Sequence, residues 1–180
     1  SFPTRRSSDL EERQDMADFT AWMLPLVKNF GAEIAFDTAN RAIQVLGGAG
    51  YTREWPLEQY LRDSRIMSIY EGTTGMQALD FLTRRLWRDE GRGLAVFKER
   101  AERDAVDMPS ESSEALQAFL VASEEMMALR ETPEAAFYEA DAYMRKAWAA
   151  VTEWLMPRCD AAAQTAFSAR STEWDQKHAS

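Results

Sequence analysis

Phe137, Ala140, Met144, Ala147, Val151 and Leu155 follow one another in steps of three and four. That spacing lays them along one stripe of an α-helix packed against another helix, whereas a half-buried strand would need steps of two. The same rhythm recurs along most of the chain. Leu26, Phe30 and Ile34 share a face, with a small-residue stripe of Ala32, Ala35, Ala39 and Ala42 nearby. Further faces are formed by Leu57, Tyr60 and Leu61, by Met76, Leu79, Leu82 and Leu86, and by Leu116, Phe119, Leu120, Ser123 and Met127. With 8 Gly and 6 Pro spread thinly over 180 residues, the chain lacks the turns that many short strands would require. The expected fold class is all-α.

Local signals suggest where these helices stop. The first periodic stretch covers residues 22–46, with Thr20 as cap and Pro25 in the first turn, where a missing N–H is tolerated. Gly47-Gly48-Ala49-Gly50 then ends it, because glycine readily takes the positive φ of a helix C-terminus. A loop over residues 51–56 leads to a second helix with Pro56 near its first position, fading at residues 63–65. Residues 66–73 read as an ordered connection. A third helix follows Thr74, whose hydroxyl and Gln77 are spaced as a capping box. After Asp89, Gly91 and Gly93 are expected to loosen the chain. Helices then follow over residues 94–106, around 116–127, and from Thr132-Pro133 to Pro157, with a polar, frayed end.

Residues 1–10 have no periodicity and read like an in-frame translation of a sequencing adapter. They are expected to be a non-native leader, with the natural protein extending upstream; a genuine polar leader is the alternative. The expected organisation is therefore a leader (1–10), a helical domain (11–90) and a helical extension (91–180).

Composition excludes several function classes. A formal net charge of −9 argues against a nucleic-acid binder, since phosphate contacts need a basic surface. No apolar run approaches the roughly 20 residues that span a bilayer. The single cysteine, Cys159, precludes an intramolecular disulfide and suits a reducing compartment. The one histidine, His178, lies far along the sequence from that cysteine, so neither a metal site nor a histidine-dependent nucleophilic triad is expected. The six tryptophans, at 22, 55, 87, 148, 154 and 174, fall at scattered helical positions that suit core or interface.

Three short segments could carry chemistry. Glu71 lies between the apolar residues Ile66, Met67, Ile69 and Tyr70 and a glycine, just before a helix N-terminus. Apolar burial disfavours an ionised carboxylate while helix N–H groups favour it, and a carboxylate between these influences can serve as a base near neutral pH. Gly72 leaves room for a substrate or cofactor beside it. A glutamate in this place is more often only a solvated cap. Gln44-Val45-Leu46-Gly47-Gly48 offers an amide and exposed N–H groups that suit a phosphate or nucleotide edge, and it is also an ordinary glycine cap. Arg62-Asp63 and Arg65 suit either an anion or a local ion pair, with the ion pair favoured.

Taken together, residues 44–54, Leu61-Arg62-Asp63-Ser64-Arg65-Ile66 and Ile69-Tyr70-Glu71-Gly72-Thr73 resemble the acyl-CoA dehydrogenase family in order and separation. The resemblance covers about residues 24–86. It implies the last helical bundle of a three-part fold, whose helical N-terminal domain and β-domain would precede this chain. Glu71 matches the family's base, which takes the α-proton of an acyl-CoA while the β-hydrogen leaves as hydride to flavin N5, giving a trans-2-enoyl-CoA. Gln44, Val45, Leu46, Gly47 and Gly48 match the segment that meets the adenosine-diphosphate part of FAD, usually that of a neighbouring subunit. Thr73, Thr74 and Gly75 match a turn that also approaches FAD, and Tyr70 and Gly72 match positions lining the acyl-thioester pocket. Arg62, Asp63 and Arg65 match a motif of structural character.

The resemblance further implies a homodimer or homotetramer, electron-transfer flavoprotein as acceptor, a place in fatty-acid β-oxidation and a bacterial cytoplasmic setting. This chain departs from the family where many members have Ser-Glu-Ile-Gln, since it has Thr74-Gly75-Met76-Gln77 and so loses a side-chain contact at Gly75. Residues after Gly91 resemble the added helical module of the larger bacterial members. By itself the chain is expected to be inactive. One rival is an acyl-CoA oxidase, distinguished by peroxide release without another acceptor. The other is a non-enzymatic helical assembly module, which would need none of Glu71, Gly72 and the Gln44–Gly48 segment.

Overall fold

The computed structural model describes residues 4–104 and 110–178, with side chains for 9–104 and 114–168. Six α-helices account for most of this: α1 (Thr4–Leu46), α2 (Leu57–Arg65), α3 (Thr74–Asp80), α4 (Arg92–Asp104), α5 (Ser110–Ala128) and α6 (Pro133–His178). Short 3₁₀ turns occupy Gly47–Tyr51, Ile66–Ser68 and Leu129–Glu131, and no strand occurs among the described residues. The expected all-α class is what the structure shows. The predicted end of the fourth helix, at Val106, lies outside the described residues.

The core is built around aromatic rings contributed by successive elements. Trp22 of α1 stacks on Phe97 of α4 with ring centroids 5.0 Å apart, and it meets Phe81 at 5.4 Å and Phe119 of α5 at 6.0 Å. Phe119 in turn stacks on Tyr143 of α6 at 5.5 Å. Pairs at such separations add to the burial of their large apolar surfaces. One hydrophobic cluster therefore draws on both sides of the turn at Asp89–Gly91. Of the tryptophans, 22, 87 and 154 are buried and 148 is partly so, whereas Trp55 is half exposed.

Two of the four prolines expected at helix boundaries, Pro25 and Pro157, lie inside helices. Helix α1 continues upstream of Thr20, and Pro25 is buried within it. An interior proline forfeits one ladder bond and is disfavoured by about 3 kcal/mol. Packing on both sides of the position offsets that cost, since Phe19 and Trp22 precede it in the core and Leu26 and Phe30 follow. Helix α6 likewise passes through Pro157. Beyond it Arg158 pairs with Asp104 and lies 5.2 Å from the Trp154 ring, and Ala161-Ala162-Ala163 are strong helix formers. Helix α1 also takes in residues 4–10 of the expected leader.

Two further features depart from local expectation. From Phe81 to Arg88 the helix widens into a π-helix. Amides there reach back five residues, from Asp89 to the Arg84 carbonyl and from Gly91 to that of Leu86, both at 2.9 Å. A wider turn brings residues five apart onto one face, so Phe81 with Leu86 and Leu82 with Trp87 are all buried, while Met76, expected on that face, is 60% exposed. Gly93, expected to loosen the chain, is buried at a close approach of α4 to α1.

Candidate active site

The segment Ile66 to Gly75 is anchored at both ends. Ser64 is buried at the end of α2, its hydroxyl donating to the Leu61 carbonyl at 2.9 Å. The 3₁₀ turn Ile66–Ser68 follows, and α3 starts beyond Thr73, whose extended backbone (φ −67°, ψ 171°) makes it the N-cap. Between these, Glu71 takes φ 53° and Gly72 φ 98°. Glycine adopts the left-handed region freely, whereas a glutamate there needs its surroundings to hold it.

Two side chains do so. Gln77 Nε2 donates to the Glu71 carbonyl at 2.9 Å, and Lys28 Nζ donates to the Gly72 carbonyl from α1. The Lys28 ammonium also stands 5.9 Å from the centre of the Tyr70 ring. The expected capping box is thus not formed. The N-cap is Thr73, no side chain caps it, and Gln77 reaches past it to a carbonyl rather than to the cap N–H. Gly72 serves this lock, since a Cβ there would come within 3.0 Å of Gln77 Nε2.

The expected apolar burial of Glu71 is absent. Glu71 is exposed, and Ile66, Met67, Ile69 and Tyr70 around it are 45–55% exposed. The Glu71 carboxylate makes no hydrogen bond or ion pair among the described residues. Thr73 and Gly75 are exposed and Thr74 is half-buried, in the same turn.

The other predicted segment lies elsewhere on α1. Gln44, Val45, Leu46, Gly47 and Gly48 are all exposed, and Gly47 (φ 59°) ends the helix as expected. A Cβ placed on Gly47, Gly48 or Gly75 would meet nothing within 4 Å, so their backbones are open to a ligand. Lys28 and Gln44 are sixteen residues apart on one helix, which at 1.5 Å per residue is about 24 Å. The structure therefore groups Tyr70, Glu71, Gly72, Thr73, Thr74 and Gly75 at one place and holds Gln44 to Gly48 at another.

The Arg62 block behaves as a local ion-pair system. Arg62 lies 3.2 Å from Glu58 and 3.9 Å from Asp63, and Arg65 donates to Ser68 Oγ at 3.2 Å while stacking 5.6 Å from the Phe36 ring. No cluster suited to a metal ion occurs among the described residues, and Cys159 is free and exposed. Lys28 was not foreseen from sequence. Its only signal is a cation set between the core positions Leu26 and Phe30 of a helix, which many surface lysines share.

Residues 10–86 match the family model for the acyl-CoA dehydrogenase C-terminal domain. Over that stretch, which is less than half of its length, this chain is similar to acyl-CoA dehydrogenases. It is 49% identical over 73 residues to the broad-specificity linear acyl-CoA dehydrogenase FadE5 of Mycobacterium tuberculosis, which is 41% of this chain and 12% of that protein. It is 46% identical over 88 residues to 3-methylmercaptopropionyl-CoA dehydrogenase of Ruegeria pomeroyi, 49% of this chain and 14% of that protein. With butyryl-CoA dehydrogenase of Syntrophomonas wolfei the identity is 35% over 85 residues. The chain thus spans only about an eighth of the length of these acyl-CoA dehydrogenases. Among solved structures, the apo form of Bd2924 superposes with a TM-score of 0.51 over 79% of this chain and 26% of its own, at 22% identity. That likeness concerns the fold, and it extends over more of the chain than the acyl-CoA dehydrogenase domain match.

Proposed function

We propose that this chain is the part of an FAD-dependent acyl-CoA dehydrogenase that carries the catalytic base, Glu71. The observation that carries this reading is a backbone held in place beside a carboxylate left free. The Glu71 and Gly72 carbonyls are both hydrogen-bonded, while the Glu71 carboxylate has no partner among the described residues and belongs to a segment with several exposed apolar side chains. A structural cap would turn its carboxylate onto the helix N–H groups.

An α-C–H beside a thioester is a very weak acid until its carbonyl oxygen is hydrogen-bonded and a base is placed against it without competing water. Glu71 would take that proton. Tyr70, with Gly72, would lie along the acyl-thioester group, and occupation of this apolar surface would exclude water from the carboxylate. FAD, when bound, supplies the acceptor for the β-hydrogen as hydride, which leaves a trans-2-enoyl-CoA.

The residues present suit the edge of that cofactor. Gln44, Val45, Leu46, Gly47 and Gly48 would meet its adenosine-diphosphate part with an amide and open backbone, and Thr73, Thr74 and Gly75 would approach it beside the base. The separation of about 24 Å along α1 supports a homodimer or homotetramer in which each segment serves a different FAD. We assign the acceptor as electron-transfer flavoprotein and the setting as the bacterial cytoplasm, within fatty-acid β-oxidation. Among the described residues no helix is long and apolar enough to cross a membrane.

The test is Glu71→Gln in the complete flavoenzyme containing this chain. Turnover should fall by about 10²–10⁴-fold, the contribution expected of a positioned base, with flavin content unchanged. Near-normal turnover would remove Glu71 from this role. Peroxide release without added acceptor would assign the enzyme as an oxidase instead.

A further inference from the structure

Lys28 lies on α1, forty-four positions before the carbonyl it binds. Its neighbours Leu26, Asn29 and Phe30 are buried, so the register of α1 at this point is set by the core rather than by the turn. The side chain is half-buried and spans from that helix to the Gly72 carbonyl, passing the Tyr70 ring. Among the described residues it is the only cationic side chain bonded to the Tyr70–Gly72 turn. Gln77 holds the neighbouring carbonyl, but it belongs to α3, the helix that continues from the turn itself. Lys28 is thus the tie between the left-handed Glu71 backbone and a separate, core-fixed element.

We propose that Lys28 is a positioning residue for Glu71, fixing through the Gly72 carbonyl where the carboxylate is presented. The proposal rests on the reading of Glu71 as the base. A carboxylate attached to a backbone in a disfavoured conformation relaxes to a different direction once the tie is cut, and a shift of about 1 Å at a reacting group can cost on the order of 10²-fold in rate. A residue that only helped the chain fold would lower the amount of folded enzyme and leave kcat per bound flavin unchanged.

The experiment uses the complete flavoenzyme with Lys28→Met and Lys28→Arg, each alone and combined with Glu71→Gln. Lys28→Met should lower kcat per bound flavin by about 10–10²-fold, with KM for the acyl-CoA and flavin content within about twofold. Lys28→Arg, which keeps a cationic donor, should recover most of the rate. A crystal structure of the Lys28→Met enzyme should show Glu71 out of the left-handed region. In the Glu71→Gln background Lys28→Met should add no further loss. If Lys28→Met does not yield folded enzyme, Lys28→Gln gives the same comparison with a neutral donor. Unchanged kcat, an equal loss in Lys28→Met and Lys28→Arg, or Glu71 still left-handed in the Lys28→Met structure would overturn the proposal. An active Glu71→Gln enzyme would instead overturn the assignment of the base, so the two failures are distinguishable.

Discussion

Gly93 of α4 lies so close to Trp22 of α1 that a Cβ on the glycine would stand 2.4 Å from the Trp22 Cβ and 2.6 Å from the Asp18 carbonyl oxygen. The two helices meet backbone to backbone here. Arg92, one residue earlier, closes the same approach with a 3.1 Å ion pair to Asp18. Trp22 falls within the stretch that matches the acyl-CoA dehydrogenase domain, and Gly93 lies beyond it. Their contact joins the two halves of the chain into one core.

Gly93→Ala should therefore destabilise the chain by about 1–3 kcal/mol, the usual cost of forcing extra volume into a packed site. Neither the Trp22 Cβ nor the Asp18 carbonyl is a flexible end that can move aside. Urea unfolding followed by tryptophan fluorescence would measure it. A midpoint equal to that of the parent chain would show that α4 does not dock on α1 in this way.

The buried pair Ser123 and Tyr143 predicts a loss of stability in strong base. The Ser123 hydroxyl donates to the Phe119 carbonyl at 2.8 Å, so it accepts from the Tyr143 hydroxyl 3.1 Å away. Burial raises the Tyr143 pKa above the ordinary value of 10.0. Because the folded value is the higher one, this contribution is fully present below the unfolded pKa. It is lost as pH rises from near 10.0 towards the folded value. Stability should thus fall above that pH, and Tyr143→Phe should remove this component while costing about 1 kcal/mol at neutral pH. An identical alkaline profile in the two proteins would contradict the assignment.

Gly72→Ala should disturb the turn that presents Glu71. At φ 98° an alanine is strained whatever room it has, and its Cβ would press on Gln77 Nε2 at 3.0 Å. The strain is about 1–3 kcal/mol. In the complete flavoenzyme we expect kcat to fall by about tenfold or more, because the turn relieves its strain by moving the carboxylate. Stopped-flow reduction of the flavin by an acyl-CoA would measure the step directly, and an unchanged rate would show that the turn tolerates a side chain.

The helices themselves were legible in the residues, because a period of three to four is a local property that survives any arrangement of the elements. The stop at Gly47, the start of α2 after Pro56 and the ion pairing of Arg62 were legible for the same reason, each depending on a few neighbouring residues. The spacing of the Gln44, Arg62 and Glu71 blocks also pointed to the family that the comparison of residues 10–86 supports.

What lies beyond that was decided by packing between residues distant in sequence. Pro25 and Pro157 read locally as boundaries, yet the core on both sides of Pro25 and the partners beyond Pro157 carry the helices through. The wide turn from Phe81 to Arg88 has no local signal and serves to bury Phe81, Leu82, Leu86 and Trp87 together. Glu71 read as a buried carboxylate because its neighbours are apolar, but burial depends on what packs above a segment, and within this chain those neighbours remain exposed. The tie from Lys28 to Gly72 spans forty-four positions and could emerge only once α1 and the turn were folded side by side. The sequence determined the helices and singled out Glu71 as the candidate base; the tertiary structure decided how that glutamate is held, because its supports are contacts between elements and not properties of any one of them.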